Sequence, residues 1–282
     1  MLLSQIKWSP SDTLFEIGGF SIYMYSLMFV VAFVLGYQLV KSFFTKEKVD
    51  HKYLDPMLLY MVISTFLGAR LGEVFFYNWG YFQNHLIEIL LPIQESSSGS
   101  ILGLIDGYEF VGFRGLASHG AAIGIAIGLI LFQRKYKFKS VLWIFDRLTM
   151  PVAIGGAFVR IGNFFNSEIV GKYTNSAYGV IFENRGETLP RHPVQLYETF
   201  GYVILFFILL KIYNSSVKDK EGALWGYFLI GLFSVRFITE FFKEDIGGIE
   251  TFLPGLSSGQ WLSIPFILIG IIMLYLSNRK TI

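Results

Sequence analysis

IYMYSLMFVVAFVLGYQLV, Ile22 to Val40, carries no charged residue and decides the fold. A helix apolar on every face is either deeply buried or spans a membrane, and a span takes roughly 20 such residues. Working outward, the same reading recurs at Leu54–Tyr77, Leu116–Phe132, Val141–Phe165, Leu196–Leu210, Gly222–Phe242 and Gln260–Leu276. The pattern predicts an all-α polytopic membrane protein with about seven transmembrane helices. These form a single transmembrane domain over residues 1–282, with small outer-side insertions. Residues 78–115 read as an outer-side loop. Its apolar piece LIEILLPI, Leu86 to Ile93, is too short to cross and reads as an interfacial helix, and ESSSGS, Glu95 to Ser100, reads as flexible. Residues 166–195 form a second outer-side loop.

Charge orients the bundle. Lys41, Lys46, Lys48, Lys52, Arg134, Lys135, Lys137, Lys139, Lys211, Lys218, Lys220, Arg279 and Lys280 fall on one side. Lys7, Arg114, Lys172, Arg185, Arg191 and Lys243 fall on the other. The richer side is cytoplasmic by the positive-inside rule, which places the N-terminus outside and the C-terminus in the cytoplasm. No cleavable signal peptide is visible, because Lys7, Asp12 and Glu16 interrupt the first residues. The first span therefore serves as its own insertion signal.

Composition removes several functions. A net charge of +2 gives no electrostatic footprint for nucleic acid. The chain has no cysteine, so it has no thiolate nucleophile or thiolate metal site of its own. Four scattered histidines offer no metal-ligand spacing. No Walker loop, H-E-x-x-H or G-x-S-x-G elbow is present.

Four arginines fall inside spans: Arg70, Arg147, Arg160 and Arg236. Each costs roughly 2.5–3.5 kcal/mol at mid-membrane, so each must be paired, wetted or near an interface. Arg147 lies near a cytoplasmic end and reads as a snorkelling anchor beside Asp146. The other three lie toward the outer ends of their helices. Helical spacing pairs Arg70 with Glu73, Arg160 with Asn163 and Arg236 with Glu240. These groups read either as structural ion pairs or as a site for an anionic ligand, and their shared depth favours the anion. Arginine suits phosphate through bidentate hydrogen bonds. His119 lies on the same side, with Ser118 as a candidate N-cap and small residues Gly120, Ala121 and Ala122 after it. A histidine there can accept a proton near neutral pH.

RIGNFFNSEIVG, Arg160 to Gly171, resembles the signature of the prolipoprotein diacylglyceryl transferase family, G-R-x-G/A-N-F-apolar-N-x-E-x-x-G, with Val159 in place of the first glycine. YSLMF at Tyr25, GARLGEVFFYN (Gly68 to Asn78), HGAAIG (His119 to Gly124), RHPVQLYE (Arg191 to Glu198), RFITEFF (Arg236 to Phe242) and SGQWLSIP (Ser258 to Pro265) are similar to further segments of that family, in order. The resemblance implies transfer of a diacylglyceryl group from phosphatidylglycerol to the thiol of a lipobox cysteine in a prolipoprotein signal peptide, releasing glycerol phosphate. It implies no cofactor, no metal and no nucleic-acid partner, and it places the protein among the lipids of the bacterial cytoplasmic (inner) membrane.

On that reading Arg160 and Arg236 neutralise the departing phosphate, and His119 takes the thiol proton, since thiolate is the nucleophile. Tyr25, Asn163, Asn166 and Glu168 place the headgroup. Glu240 orients Arg236, Arg70 contacts lipid, and Gly171 answers a backbone requirement. His192-Pro193 reads as a turn before a helix, with Glu198 in its first turn. A transporter or flippase for anionic lipid would also need buried arginines, but the sequence shows no repeat of the kind such proteins often carry. A non-catalytic scaffold would not need so many charges at one depth.

Overall fold

A computed structural model describes residues 6–11, 13–17, 20–101, 105–111, 115, 117–244 and 255–279. Arg114, Leu116 and Lys280, used above for charge and span, lie outside the described residues. In chain order the elements are β1 (Ile6–Trp8), β2 (Thr13–Ile17), β3 (Phe20–Tyr23), α1 (Met24–Lys46), α2 (Leu54–Phe76), α3 (Trp79–Phe82), α4 (Ile87–Leu90), β4 (Ile93–Ile101), β5 (Ile105–Phe110), α5 (Ser118–Tyr136), α6 (Val141–Phe165), β6 (Val180–Phe182), α7 (Val194–Tyr213), α8 (Ala223–Thr239) and α9 (Ser258–Arg279).

Six described helices are long and apolar enough to cross a membrane: α1, α2, α6, α7, α8 and α9, the second and fifth of these extended by adjoining 3-10 turns. Val30, Val34, Phe207, Ile271 and Ile272 stand exposed on them, as residues facing lipid do. The remaining expected span, α5, is a helix of 19 residues outside that set. Its glycines add little hydropathy and its end carries Arg134 and Lys135. Among the described residues the helices are accompanied by three two-stranded sheets, which the all-α expectation lacked.

The chain divides into two compact units, Met1–Val49 with Leu142–Ile282, and Asp50–Val141. The sequence reading set no boundary within its single domain.

In the first unit α8 packs on α7 and α9, around a core of Phe43, Met150, Leu209, Tyr213, Leu224 and Phe228. Arg147 is not a snorkelling anchor. Its side chain is buried, and its Nη2 meets Glu47 Oε2 at 2.7 Å, with Nε 3.1 Å from Oε1. Tyr213 donates to the same carboxylate at 2.7 Å. Asp146, 3.9 Å from Arg147 Nη1, instead accepts the N–H groups of Gly222 and Trp225 at 2.7 and 2.8 Å. It thereby supplies the cap that Gly222, with no side chain, cannot give α8. Helix α9 opens on a capping box: the Gln260 N–H donates to Ser257 Oγ at 3.3 Å, and the Ser257 N–H donates to Gln260 Oε1 at 3.0 Å.

In the second unit α2 packs along α5 through small residues. A Cβ on Gly72 would lie 2.6 Å from the Gly120 Cα, and one on Gly68 2.8 Å from the Gly124 Cα. Backbones approach this closely only where side chains are missing. The Ala117 N–H donates to the Ala69 carbonyl at 3.0 Å. Ala117, not Ser118, is the N-cap of α5, and it makes no side-chain cap. The expected interfacial helix shrinks to α4, because Ile93 already belongs to β4. ESSSGS is not a free loop: it lies in β4, antiparallel to β5, with a register shift between Glu95 and Ser100.

Candidate functional site

The C-terminal half of α6 organises the site. Arg160 and Asn163 stand three apart on this helix, and Arg160 Nη1 donates to Asn163 Oδ1 at 2.9 Å. Asn163 Nδ2 in turn donates to Glu168 Oε1 at 2.5 Å. The other edge of the guanidinium faces α7, where Arg160 Nε lies 2.5 Å from Glu198 Oε2. Glu198 is 1% exposed. It stands fifth in α7 rather than in its first turn. Tyr202, one turn on, lies within hydrogen-bonding reach of Arg160.

The turn after α6 is shaped to deliver Glu168. Ser167 and Ile169, its neighbours, both have left-handed backbones, with φ of 53° and 57°. For a β-branched residue this is an outlier, and such conformations cost about 1–3 kcal/mol each, persisting where the surroundings enforce them. The enforcing bonds are visible. The Glu168 N–H donates to the Asn163 carbonyl at 3.0 Å, and Gln195 Nε2 donates to the Glu168 carbonyl at 2.7 Å. Gln195 Oε1 and Ser167 Oγ are buried with no hydrogen-bond partner among the described residues.

Gly171 answers a packing demand. A Cβ there would lie 2.6 Å from the Phe242 carbonyl oxygen and 2.5 Å from that of His192. Its N–H donates to the His192 carbonyl at 3.0 Å, and its carbonyl accepts from Arg191 Nη1 at 3.0 Å. Arg191 also meets Glu187 at 2.5 Å and Glu244 at 2.9 Å. Asn166 continues the α6 backbone by donating to the Gly162 carbonyl at 3.0 Å, and its side chain has no partner among the described residues. Tyr25, at the start of α1, packs on Gly162, where a Cβ would come within 2.8 Å of the ring. Its hydroxyl reaches Asn163 and feels the charges of Glu168 and Arg160.

Arg236 behaves differently from Arg160. The expected pair with Glu240 is not formed: Glu240 turns to Lys243 Nζ at 3.5 Å and rests against Gly259. Arg236 is half-buried and has no ion pair among the described residues. Its charge acts on Tyr202, as does that of Arg160. This unit therefore carries one guanidinium locked in a network and a second that has no ion pair among the described residues.

Arg70 and His119 belong to the other unit. Arg70 does not pair with Glu73 as its main contact. Its Nε donates to the Ile89 carbonyl at 2.9 Å and its Nη2 to the Glu88 carbonyl at 2.5 Å, with the guanidinium 4.7 Å from the Phe82 ring centre. It ties the α4 segment to α2. Glu73 accepts from Asn78 Nδ2 at 2.6 Å. His119 is exposed, second in α5. Sequence reasoning missed Tyr202, Gln195 and the Glu198–Arg160 pair. The only signal available was that Gln195, Glu198 and Tyr202 recur at helical spacing on one face.

Fold and site together define a polytopic membrane protein that carries Arg160 and Arg236 in the C-terminal halves of α6 and α8. A family model described as prolipoprotein diacylglyceryl transferase matches residues 12–276, and the chain belongs to that family. The phosphatidylglycerol–prolipoprotein diacylglyceryl transferase of Tolumonas auensis is 39% identical over 275 residues, covering 97% of this chain and 98% of its own. The enzyme of the same name from Bacteroides fragilis is 38% identical over 280 residues, covering 99% and 98%. That from Chloroherpeton thalassium is 36% identical over 278 residues, covering 98% and 96%.

Proposed function

We propose that this chain is a transferase that moves the diacylglyceryl group of phosphatidylglycerol onto the lipobox cysteine thiol of a prolipoprotein. In the step, the thiolate sulfur attacks the diacylglyceryl carbon bonded to the phosphate oxygen. A carbon–sulfur bond forms, the carbon–oxygen bond breaks, and glycerol phosphate leaves with the electron pair. Charge grows on the phosphate, so catalysis asks for cations already in place. The observation that carries this reading is Arg236, which has no ion pair among the described residues and shares Tyr202 with the Arg160 network.

Arg160 is pre-oriented by Glu198 and Asn163, and Arg236, without an ion pair among the described residues, takes phosphate oxygens. Tyr25, Asn163, Asn166 and Glu168 receive the headgroup glycerol, and buried Gln195 Oε1 offers its hydroxyl an acceptor. His119 takes the thiol proton. Glu240 shapes the surroundings of Arg236 through Gly259 rather than by direct pairing, Gly171 serves the backbone, and Arg70 serves the α4 segment more than the lipid. The reaction needs no cofactor. The fold is read with seven spans in the bacterial cytoplasmic membrane, α5 included, N-terminus outside, C-terminus in the cytoplasm and the site toward the outer leaflet.

The test is reconstitution of the purified protein with phosphatidylglycerol and a lipobox peptide, reading glycerol phosphate release and peptide mass. A diacylglyceryl mass gain that disappears with a cysteine-to-serine peptide supports the reading. No product from folded protein across several lipid compositions would sink it and leave the transporter.

A further inference from the structure

Outside that site, one group of side chains converges without a role. His85 follows α3, Glu88 lies in α4 and Glu95 in β4, and one ligand atom from each lies within 4.8 Å of the others. Their sequence spacing is no known metal motif. Only Leu91 and Pro92 separate α4 from β4, which keeps Glu95 close to the other two.

The surroundings orient each group. His85 Nδ1 lies 2.9 Å from the Tyr81 carbonyl oxygen. A carbonyl can only accept, so Nδ1 donates there and Nε2 is the ring nitrogen turned toward the carboxylates. That Nε2 lies 3.3 Å from Glu95 Oε2. The imidazole stacks on the Tyr81 ring, centres 4.1 Å apart and planes 6° from parallel. The Tyr81 hydroxyl donates to Glu88 Oε2 at 2.8 Å, and the Glu95 N–H donates to Glu88 Oε1 at 2.8 Å. Glu88 is 3% exposed. Two carboxylates and an imidazole face one space, and a ligating histidine normally gives its other N–H to a carbonyl or carboxylate.

We propose that His85, Glu88 and Glu95 bind one divalent cation of the zinc type, which pins the β4–β5 hairpin to the α3–α4 segment. One nitrogen and two carboxylate oxygens suit zinc, with water in the fourth position. Bond lengths near 2.0–2.2 Å place tetrahedral ligand atoms about 3.4 Å apart. The His85–Glu95 pair already has that separation, and Glu88 stands within 4.8 Å of both. Tyr81 acts as a positioning residue for both His85 and Glu88.

The experiment uses the full chain, without a polyhistidine tag, purified in detergent and stripped with chelator. Zn²⁺ alone is titrated by calorimetry, and thermal unfolding is followed with and without it. One equivalent of Zn²⁺ is expected, with a rise in Tm. Loss of a supporting residue costs metal sites about 10–100-fold, so His85→Ala and Glu95→Gln should each weaken binding at least tenfold and abolish the Tm rise. Tyr81→Phe should weaken binding while leaving all three ligands. His51→Ala should change nothing. Absence of a stoichiometric equivalent in the wild type, or its persistence in folded His85→Ala and Glu95→Gln proteins, overturns the proposal and leaves a protonated His85 bridging the carboxylates.

Discussion

Arg160 and Arg236 carry the same charge in opposite states. Arg160 meets a nearly inaccessible carboxylate, and removing one partner of a buried pair typically costs about 3–5 kcal/mol because the other charge is stranded. Arg160→Ala should therefore lower both Tm in detergent and turnover. Arg160→Lys keeps the charge but cannot face Glu198 and Asn163 together, so it should lose activity with a smaller drop in Tm. Arg236 has no ion pair to break among the described residues. Arg236→Ala should shift stability by about 0.5 kcal/mol or less while cutting glycerol phosphate release about a hundredfold or more, the scale for removing one preorganised donor. Equal losses of Tm in the two alanine variants would mean that Arg236 is structural. Much of this was legible at the residue scale. Three-residue spacing on a helix announced the Arg160–Asn163 bond. The same logic failed for Arg236 and Glu240, because Glu240 leaves α8 for a 3-10 turn and finds Lys243. Glu198 was hidden by distance along the chain, since no local rule links residues 160 and 198.

Elements were legible where hydrophobicity builds them and illegible where backbone bonds do. Apolar runs located every long helix, and α1 outran its predicted end at Val40 because Lys46 can sit favourably in the last turn. The β4–β5 hairpin was missed because strand pairing there runs through polar ESSSGS. The α2–α5 contact is steric, and it makes a sharp prediction. Gly124→Val would drive carbons into the Gly68 backbone and the Ser64 carbonyl, so it should destabilise by at least about 1–3 kcal/mol. Gly80→Ala meets nothing within 4 Å and should leave Tm unchanged or slightly higher. The segment between α6 and α7 makes another. Burial pushes the Glu187 carboxyl up, but Arg191 and Arg185 outweigh it and hold its pKa below the ordinary value. A carboxylate with a depressed folded pKa adds stability that is complete above the unfolded value and fades as pH falls through the folded one. Tm should thus fall as pH drops from the ordinary glutamate range toward the depressed value. Glu187→Gln should be less stable at neutral pH and flatter across that window; an unchanged slope would remove Glu187 from the linkage.

For the whole molecule, topology turns on α5. Its glycines trade hydropathy for close packing against α2, so composition alone leaves it outside the set long and apolar enough to cross, while the loop charges ask it to cross. The two arrangements differ downstream. If α5 crosses, residues 137–140 face the cytoplasm and residues 166–193 face outward. If it does not, both segments exchange sides, and basic Lys137 and Lys139 would face outward against the positive-inside rule. The chain contains no cysteine, so single cysteines report without background. Lys139→Cys and Asn175→Cys are both at exposed positions. With a membrane-impermeant maleimide on intact spheroplasts, Asn175→Cys should label and Lys139→Cys should label only after permeabilisation. The reverse pattern would remove α5 as a span and move the Arg160 site to the cytoplasmic face. An exported signal peptide presents its lipobox cysteine at the outer leaflet, so the reversed topology would break the transfer reaction proposed here as well.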